Sequence, residues 1–266
     1  MKNALKNLYV ALVILFLYVP IFVLIVFSFN TTKSHSVMSG FTFKWYAELL
    51  RDRTIINSLI TTLIVAVSAS VISTVLGTFA AVGITNMKKL PRSLSLQVNN
   101  IPMVNPDIVT GVSLMLLFVF FAARMGFNLG FPTLIIAHIT FDAPYVVLNV
   151  MPKLRQMDKN LVDAAADLGC SPVQSFFKVV LPEIMPGVIS GFLMAFTLSL
   201  DDFTVSYFVS GSSVQTLPVT IYSMTRRQVS PKINALSTII FLVVVAVLVI
   251  KNIIERKNLK KEDIRI

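Results

Sequence analysis

The chain has 266 residues, 55% hydrophobic and only 14% charged, with a mean hydropathy of +0.79. Soluble domains carry about a quarter of their residues charged, so the composition excludes that class and indicates an integral membrane protein. The 23 basic residues against 13 acidic ones would suggest nucleic acid in a soluble chain, but here they flank apolar stretches and read as an orientation signal.

A bilayer-crossing helix needs about 20 apolar residues, and six such runs occur in chain order. The first is expected over Leu8 to Phe29, behind Lys2 and Lys6; it lacks a small-residue cleavage site and is too long for a signal segment, which predicts a retained anchor. A polar loop, Asn30 to Thr54, carries Phe41, Phe43, Trp45 and Tyr46, aromatic residues of the kind found along a membrane interface. The second span is Ile55 to Gly83, closed by Lys88, Lys89 and Arg92. The third, Ser93 to Ala123, contains Pro102 and Pro106, each missing a backbone donor, which predicts a kink or break near Asp107. After a turn at Arg124 to Gly130 comes the fourth, Phe131 to Met151, with Asp142 and Pro144 inside it. The fifth is Glu183 to Ser210; its Gly187, Gly191 and Ala195 share a face at the spacing of close helix packing. A loop at Gly211 to Asn234 and a sixth span at Ala235 to Ile250 complete the chain before a charged tail.

Between the fourth and fifth spans lies a polar interval, Leu161 to Pro182. Asn160 is a candidate N-cap with Asp163 behind it, Gly169 supplies a left-handed stop, and Ser171, Pro172 and Gln174 form a second capping box. Two short helices are expected, the second stopped at Leu181 because the residue before Pro182 is pushed out of the helical region. A DNA-binding helix pair would look similar. However, the first helix presents Asp163 and Asp167 and the second only Lys178, which argues against nucleic acid. No phosphate loop of the G-x-x-x-x-G-K-[ST] type occurs, and no G-x-S-x-G accompanies His138. Cys170, the one cysteine, leaves neither an internal disulfide nor a zinc cluster, and His35 and His138 stand too far apart to make a metal site.

The informative residues are acids within the spans, since an ionisable group at mid-bilayer costs roughly 2.5 to 3.5 kcal/mol even on lenient scales. Counted along a continuous helix from Ser93, Asp107 falls near mid-membrane or just beyond it; counted from Glu183, Asp201 and Asp202 fall in the outer half. With Phe203 and Tyr207 beside the pair, these acids suit an organic cation held by charge and aromatic faces, and equally a proton relay or a cation filter. Asp142, near the centre of the fourth span, reads equally as a carboxyl that fixes helix packing.

Asp163, Ala164, Ala165 and Gly169, followed after nine residues by Val179, Leu181 and Pro182, resemble the EAA motif of binding-protein-dependent ABC importer permeases; the spacing matches throughout, with Asp163 in place of Glu and Val179 in place of Ile. Within that family GFTFKWY at 40–46, NPDIVTGVSLMLLF at 105–118, FTLSLDDF at 196–203, LPVTIYSM at 217–224 and VSPKINAL at 229–236 look like the C-type permeases of spermidine and putrescine importers. The resemblance implies an all-α membrane protein of the type I importer fold, one permease domain over 1–266 with a coupling loop at 152–182. That loop would dock on a separate ATP-binding subunit dimer. A second homologous permease and an extracytoplasmic polyamine-binding protein would complete the machine, with no cofactor, metal or catalytic residue in this chain. Asp107, Asp201 and Asp202 fall inside the matching segments; Asp142 does not. Another small solute carried by the same machine, or an ATP-independent cation transporter or channel, are the alternatives; six spans without an internal repeat argue against common transporter architectures.

Six spans put both termini on one side, and the basic residues decide which. Lys2, Lys6, the 88–92 group, Lys153, Arg155, Lys159, Lys178 and the tail after Ile250 give fifteen on that side against eight on the other. Both ends are therefore expected in the cytoplasm of a bacterial inner membrane. A phosphatase reporter fused to the C-terminus should be inactive and a fluorescent one active; the reverse result would overturn this topology.

Overall fold

The structure is a computed structural model that describes residues 2–32, 37–158, 160–227, 231–243 and 245. The basic residues Lys33, Lys159 and those of the tail, together with His35 and the end of the sixth expected span, lie outside them. The described chain is helical: α1 (Lys2–Phe27), α2 (Lys44–Leu49), α3 (Arg53–Asn86), α4 (Lys89–Val104), α5 (Asp107–Met125), α6 (Phe131–Gln156), α7 (Asn160–Asp167), α8 (Pro172–Ser175), α9 (Leu181–Asp201), α10 (Thr204–Val209), α11 (Leu217–Arg227) and α12 (Pro231–Val243). No strand occurs among the described residues beyond an isolated bridge between Asn30 and Phe41. Five helical segments are long and apolar enough to cross a membrane, and α12, where the sixth was expected, is apolar over its described length.

The chain forms two compact units. The first comprises 1–56 and 221–266. In it α1 exposes apolar side chains all round, which suits a helix surrounded by lipid. Lys232 of α12 pairs with Glu48 at 3.3 Å and Asp52 at 3.6 Å. Of the aromatics expected along an interface, Phe41 and Phe43 are exposed and pack on Phe29, but Trp45 is buried and donates its indole N–H to the Asn30 carbonyl at 2.6 Å.

The second unit, 57–220, is built around α6, the most buried of the long helices. A Cβ on Gly77 of α3 would stand 2.7 Å from the Val146 side chain, and one on Gly191 of α9 would stand 3.2 Å from the Val146 backbone; at Gly187 the clash is with the Asn149 carbonyl at 2.9 Å. The small residues therefore let two neighbours approach α6 closely, and the expected packing face of α9 is the one used. α10 lies on α5 across Gly111, whose missing side chain leaves room for Phe208.

The break expected near Asp107 is present: α4 ends at Val104 with Asn105 and Pro106 extended, and α5 starts at Asp107. Three expectations need correction. The depth of Asp107 counted along a continuous helix therefore does not apply; it stands at the first position of α5. The fifth span is likewise broken, at Asp202 and Phe203. The loop at 211–234 holds α11, whose first residue, Leu217, donates its backbone N–H to Thr62 Oγ1 at 2.7 Å.

The polar interval needs two more. α7 starts at Asn160 itself, so the acceptor for its first N–H lies before it, on Asp158 Oδ1 at 3.0 Å. Gly169 does take the left-handed conformation, at φ +82°, and the Ser171–Gln174 box forms in both directions. The chain does not stop at Leu181. Phe176–Val180 is a π turn in which the Leu181 N–H reaches back five residues to the Phe176 carbonyl; this changes the hydrogen-bond register just where Pro182 would clash with the carbonyl four residues before it. Helix thus continues from Pro172 to Asp201 over 30 residues.

Replacing Gly191 by Leu is expected to lower the melting temperature of the purified protein in detergent by several degrees, the result of about 1–3 kcal/mol of overpacking. Gly83→Leu, where an added Cβ meets nothing within 4 Å, should leave it unchanged.

Candidate functional site

The break between α9 and α10 places the acids. Asp201 closes α9, and Asp202 follows in extended conformation, with φ −62° and ψ 118°. Its side chain turns onto the start of α10: Oδ1 accepts the Val205 N–H at 3.1 Å and Oδ2 the Ser206 N–H at 2.7 Å. This is helix capping by a carboxylate, in the end of the macrodipole that favours negative charge. The two acids are therefore not adjacent positions on one helix. Asp202 is drawn inward, with 10% of its side chain exposed, while Asp201 is exposed.

Asp107, Asp201 and Asp202 line one cleft of about 310 Å3, with Phe141, Tyr145 and Phe203 among its other walls. Thr110, one turn along α5 from Asp107, also lines it, and its hydroxyl has no hydrogen-bond partner among the described residues. Two exposed carboxylates, a third that serves as a cap, and three aromatic faces make an electronegative, partly apolar recess. Such a recess suits an extended organic cation, whose ammonium groups pair with acids while its methylenes lie on rings. Tyr207 packs on Phe203 with the rings tilted by 38° and 5.6 Å between centroids, and it does not line the cleft.

Asp142 is not in the cleft. It is fully buried on α6, with Oδ2 2.7 Å from the Ser199 hydroxyl and Oδ1 without a hydrogen-bond partner among the described residues. Ser199 also meets His138 Nδ1 at 2.8 Å; His138 Nε2 meets the Ser206 hydroxyl at 3.1 Å and lies 3.6 Å from Asp202 Oδ2. A buried polar chain thus runs from Asp142 to the acid at the cleft wall. His138, Ser199 and Ser206 were not singled out together from the sequence. The spacing of His138 and Asp142, one turn apart on a helix, is the available signal; Ser199 and Ser206 stand beside the acid pair in the sequence, but at 61 and 68 residues from His138 nothing local links them to it.

The second candidate surface lies on α7, α8 and the π turn. Asp163 and Ala164 are exposed, Ala165 is buried, and Pro182 is exposed beside half-buried Leu181. Phe176 anchors the segment by stacking on Phe79 at 5.6 Å. The apolar residues Leu168, Val173 and Phe177 remain exposed, Leu168 at 86%, forming a patch of the kind that marks protein contacts. Apolar side chains inside a polar interval were a legible signal for it.

Residues 73–259 match the family model for the binding-protein-dependent transport system inner membrane component. Among curated proteins, the chain is 42% identical over 228 residues to the putrescine transport system permease protein PotI of Escherichia coli K12, covering 85% of this chain and 81% of that one. It is 37% identical over 254 residues to the spermidine/putrescine transport system permease protein PotC of Haemophilus influenzae, covering 96% and 97%. Among solved structures, a bacterial ABC transporter involved in import of the acidic polysaccharide alginate matches with a TM-score of 0.69 at 12% identity, over 96% of this chain and 95% of that one. The MetNI methionine ABC transporter, in inward facing conformations, matches with a TM-score of 0.58 at 19% identity, over 79% and 95%.

The different tasks of the adjacent acids should separate in stability. Asp202→Ala, which removes the cap, is expected to cost about 0.5–2 kcal/mol, read as a lower melting temperature in detergent; Asp201→Ala should leave the melt unchanged.

Proposed function

The chain belongs to the family of binding-protein-dependent transport system inner membrane components, and on that premise we propose that it is a permease subunit of an ATP-driven importer for polyamines of the putrescine and spermidine class. The observation that carries the cargo is the cleft, where Asp107, Asp201 and Asp202 converge beside Phe141, Tyr145 and Phe203. Primary and secondary amines are cations at neutral pH, and a flexible chain bearing two or three of them matches separated carboxylates with apolar walls between. Similarity to permeases named for putrescine and spermidine supports the same class.

In this reading the chain hydrolyses nothing itself. A separate dimer of ATP-binding subunits docks on α7, α8 and the exposed patch of Leu168, Val173 and Phe177, with Asp163, Ala164, Ala165, Gly169, Leu181 and Pro182 shaping the loop. An extracytoplasmic binding protein delivers the cargo. A second, homologous permease closes the other side of the path through the bacterial inner membrane. The site must hold its cation weakly, because tight binding would prevent release. The exposure of Asp201 suits that, since water screens its attraction. A different organic cation carried by the same machine is the second reading, and it rests on the same cleft.

The test is uptake by proteoliposomes holding the complete importer and supplied with loaded binding protein. Asp201→Asn is expected to reduce putrescine or spermidine uptake by roughly tenfold, about 1.4 kcal/mol of lost charge pairing, with assembly intact. Leu168→Glu should instead abolish stimulation of ATP hydrolysis by the loaded binding protein. Uptake of a different cation in a cargo panel, with none of polyamines, would move the assignment to the second reading.

A further inference from the structure

Asp142 and His138 sit one turn apart on α6, both fully buried, and neither lines the cleft. An acid in such a core is costly, yet its arrangement has an ordered chemistry. Ser199 stands between them, its hydroxyl 2.7 Å from Asp142 Oδ2 and 2.8 Å from His138 Nδ1. The Ser206 hydroxyl lies 3.1 Å from Nε2, so both ring nitrogens are engaged. The buried acid thereby orients a ring two contacts away, as outer partners orient the ligands of metal sites.

The far end of this chain is the cleft. Ser206 gives its backbone N–H to Asp202 Oδ2 at 2.7 Å, and His138 Nε2 lies 3.6 Å from the same oxygen. His138 therefore touches both the residue that holds the Asp202 carboxylate and the carboxylate itself. Resting on the importer reading, we propose that His138 is a positioning residue for cargo: oriented by Asp142 through Ser199, it holds the α9–α10 break and keeps Asp202 at the cleft wall beside Asp201. Asp142 contributes at one further remove and meets no cargo.

Two amide variants of His138 separate positioning from packing. In His138→Asn the side-chain nitrogen stands near the place of Nδ1 and falls short of Ser206; in His138→Gln it reaches toward the place of Nε2. In proteoliposomes holding the complete importer and putrescine-loaded binding protein, His138→Gln should transport within about twofold of wild type. His138→Asn should lose roughly tenfold in uptake while assembly and stimulated ATP hydrolysis persist, and adding Ser206→Ala to it should cost nothing further, as expected for residues acting through one contact. The inference is overturned if the Asn and Gln variants lose uptake equally, if the Asn variant transports like wild type, or if Ser206→Ala deepens the loss by its full single-variant factor. A wild-type complex that takes up no polyamine overturns the importer reading and this inference with it.

Discussion

In lipid no water is available to satisfy the backbone, so each place where a helix breaks must find its partners within the protein. This constraint organises the structure. The start of α10 is capped by the Asp202 carboxylate, and in its last turn the Val209 carbonyl accepts the Thr133 hydroxyl at 2.8 Å. The start of α11 is held by Thr62, and Ser58 and Thr220 meet at 2.7 Å nearby. Each of these breaks is met by a side chain, the neighbouring Asp202 at the start of α10 and Thr133 and Thr62 from other helices, and in the second unit such a break brings the candidate cargo acids to the cleft.

The close approach to α6 serves the same end. Gly77, Gly187 and Gly191 hold α3 and α9 near enough to Val146 and Asn149 to exclude larger side chains, so α6 is sealed from lipid along much of its length. Only such a sealed helix can carry His138 and Asp142 inward. The packing face and the buried polar chain are therefore two aspects of one design: small residues on α9 permit the proximity, and Ser199 on that helix uses it.

The spans were legible because lipid burial writes an unmistakable apolar run, and the capping box at Ser171 and Gln174 was legible because both partners lie within one turn. The breaks were harder. At Pro106 the ring removes a donor, a local signal that locates the interruption, but a residue count along one helix does not carry across it and so does not give the depth of Asp107. At Asp202 two adjacent acids stand in an apolar run, and periodicity alone keeps them on one helix; the cap becomes visible only once Val205 and Ser206 are known to start anew. The π turn had no local signature, because Pro182 ordinarily bends or stops a helix and here the wider turn absorbs it. Asp158 took the cap from Asn160 for a simpler reason, that helix ends shift by a residue or two.

Absorbing Pro182 has a mechanical consequence. From Pro172 to Asp201 the chain runs as 30 helical residues, a rod of about 45 Å with the exposed apolar patch near one end and a cleft acid at the other. It is pressed on α6 at both Gly187 and Gly191, so the surface at one end and the acid at the other are joined by helix and not by a loop.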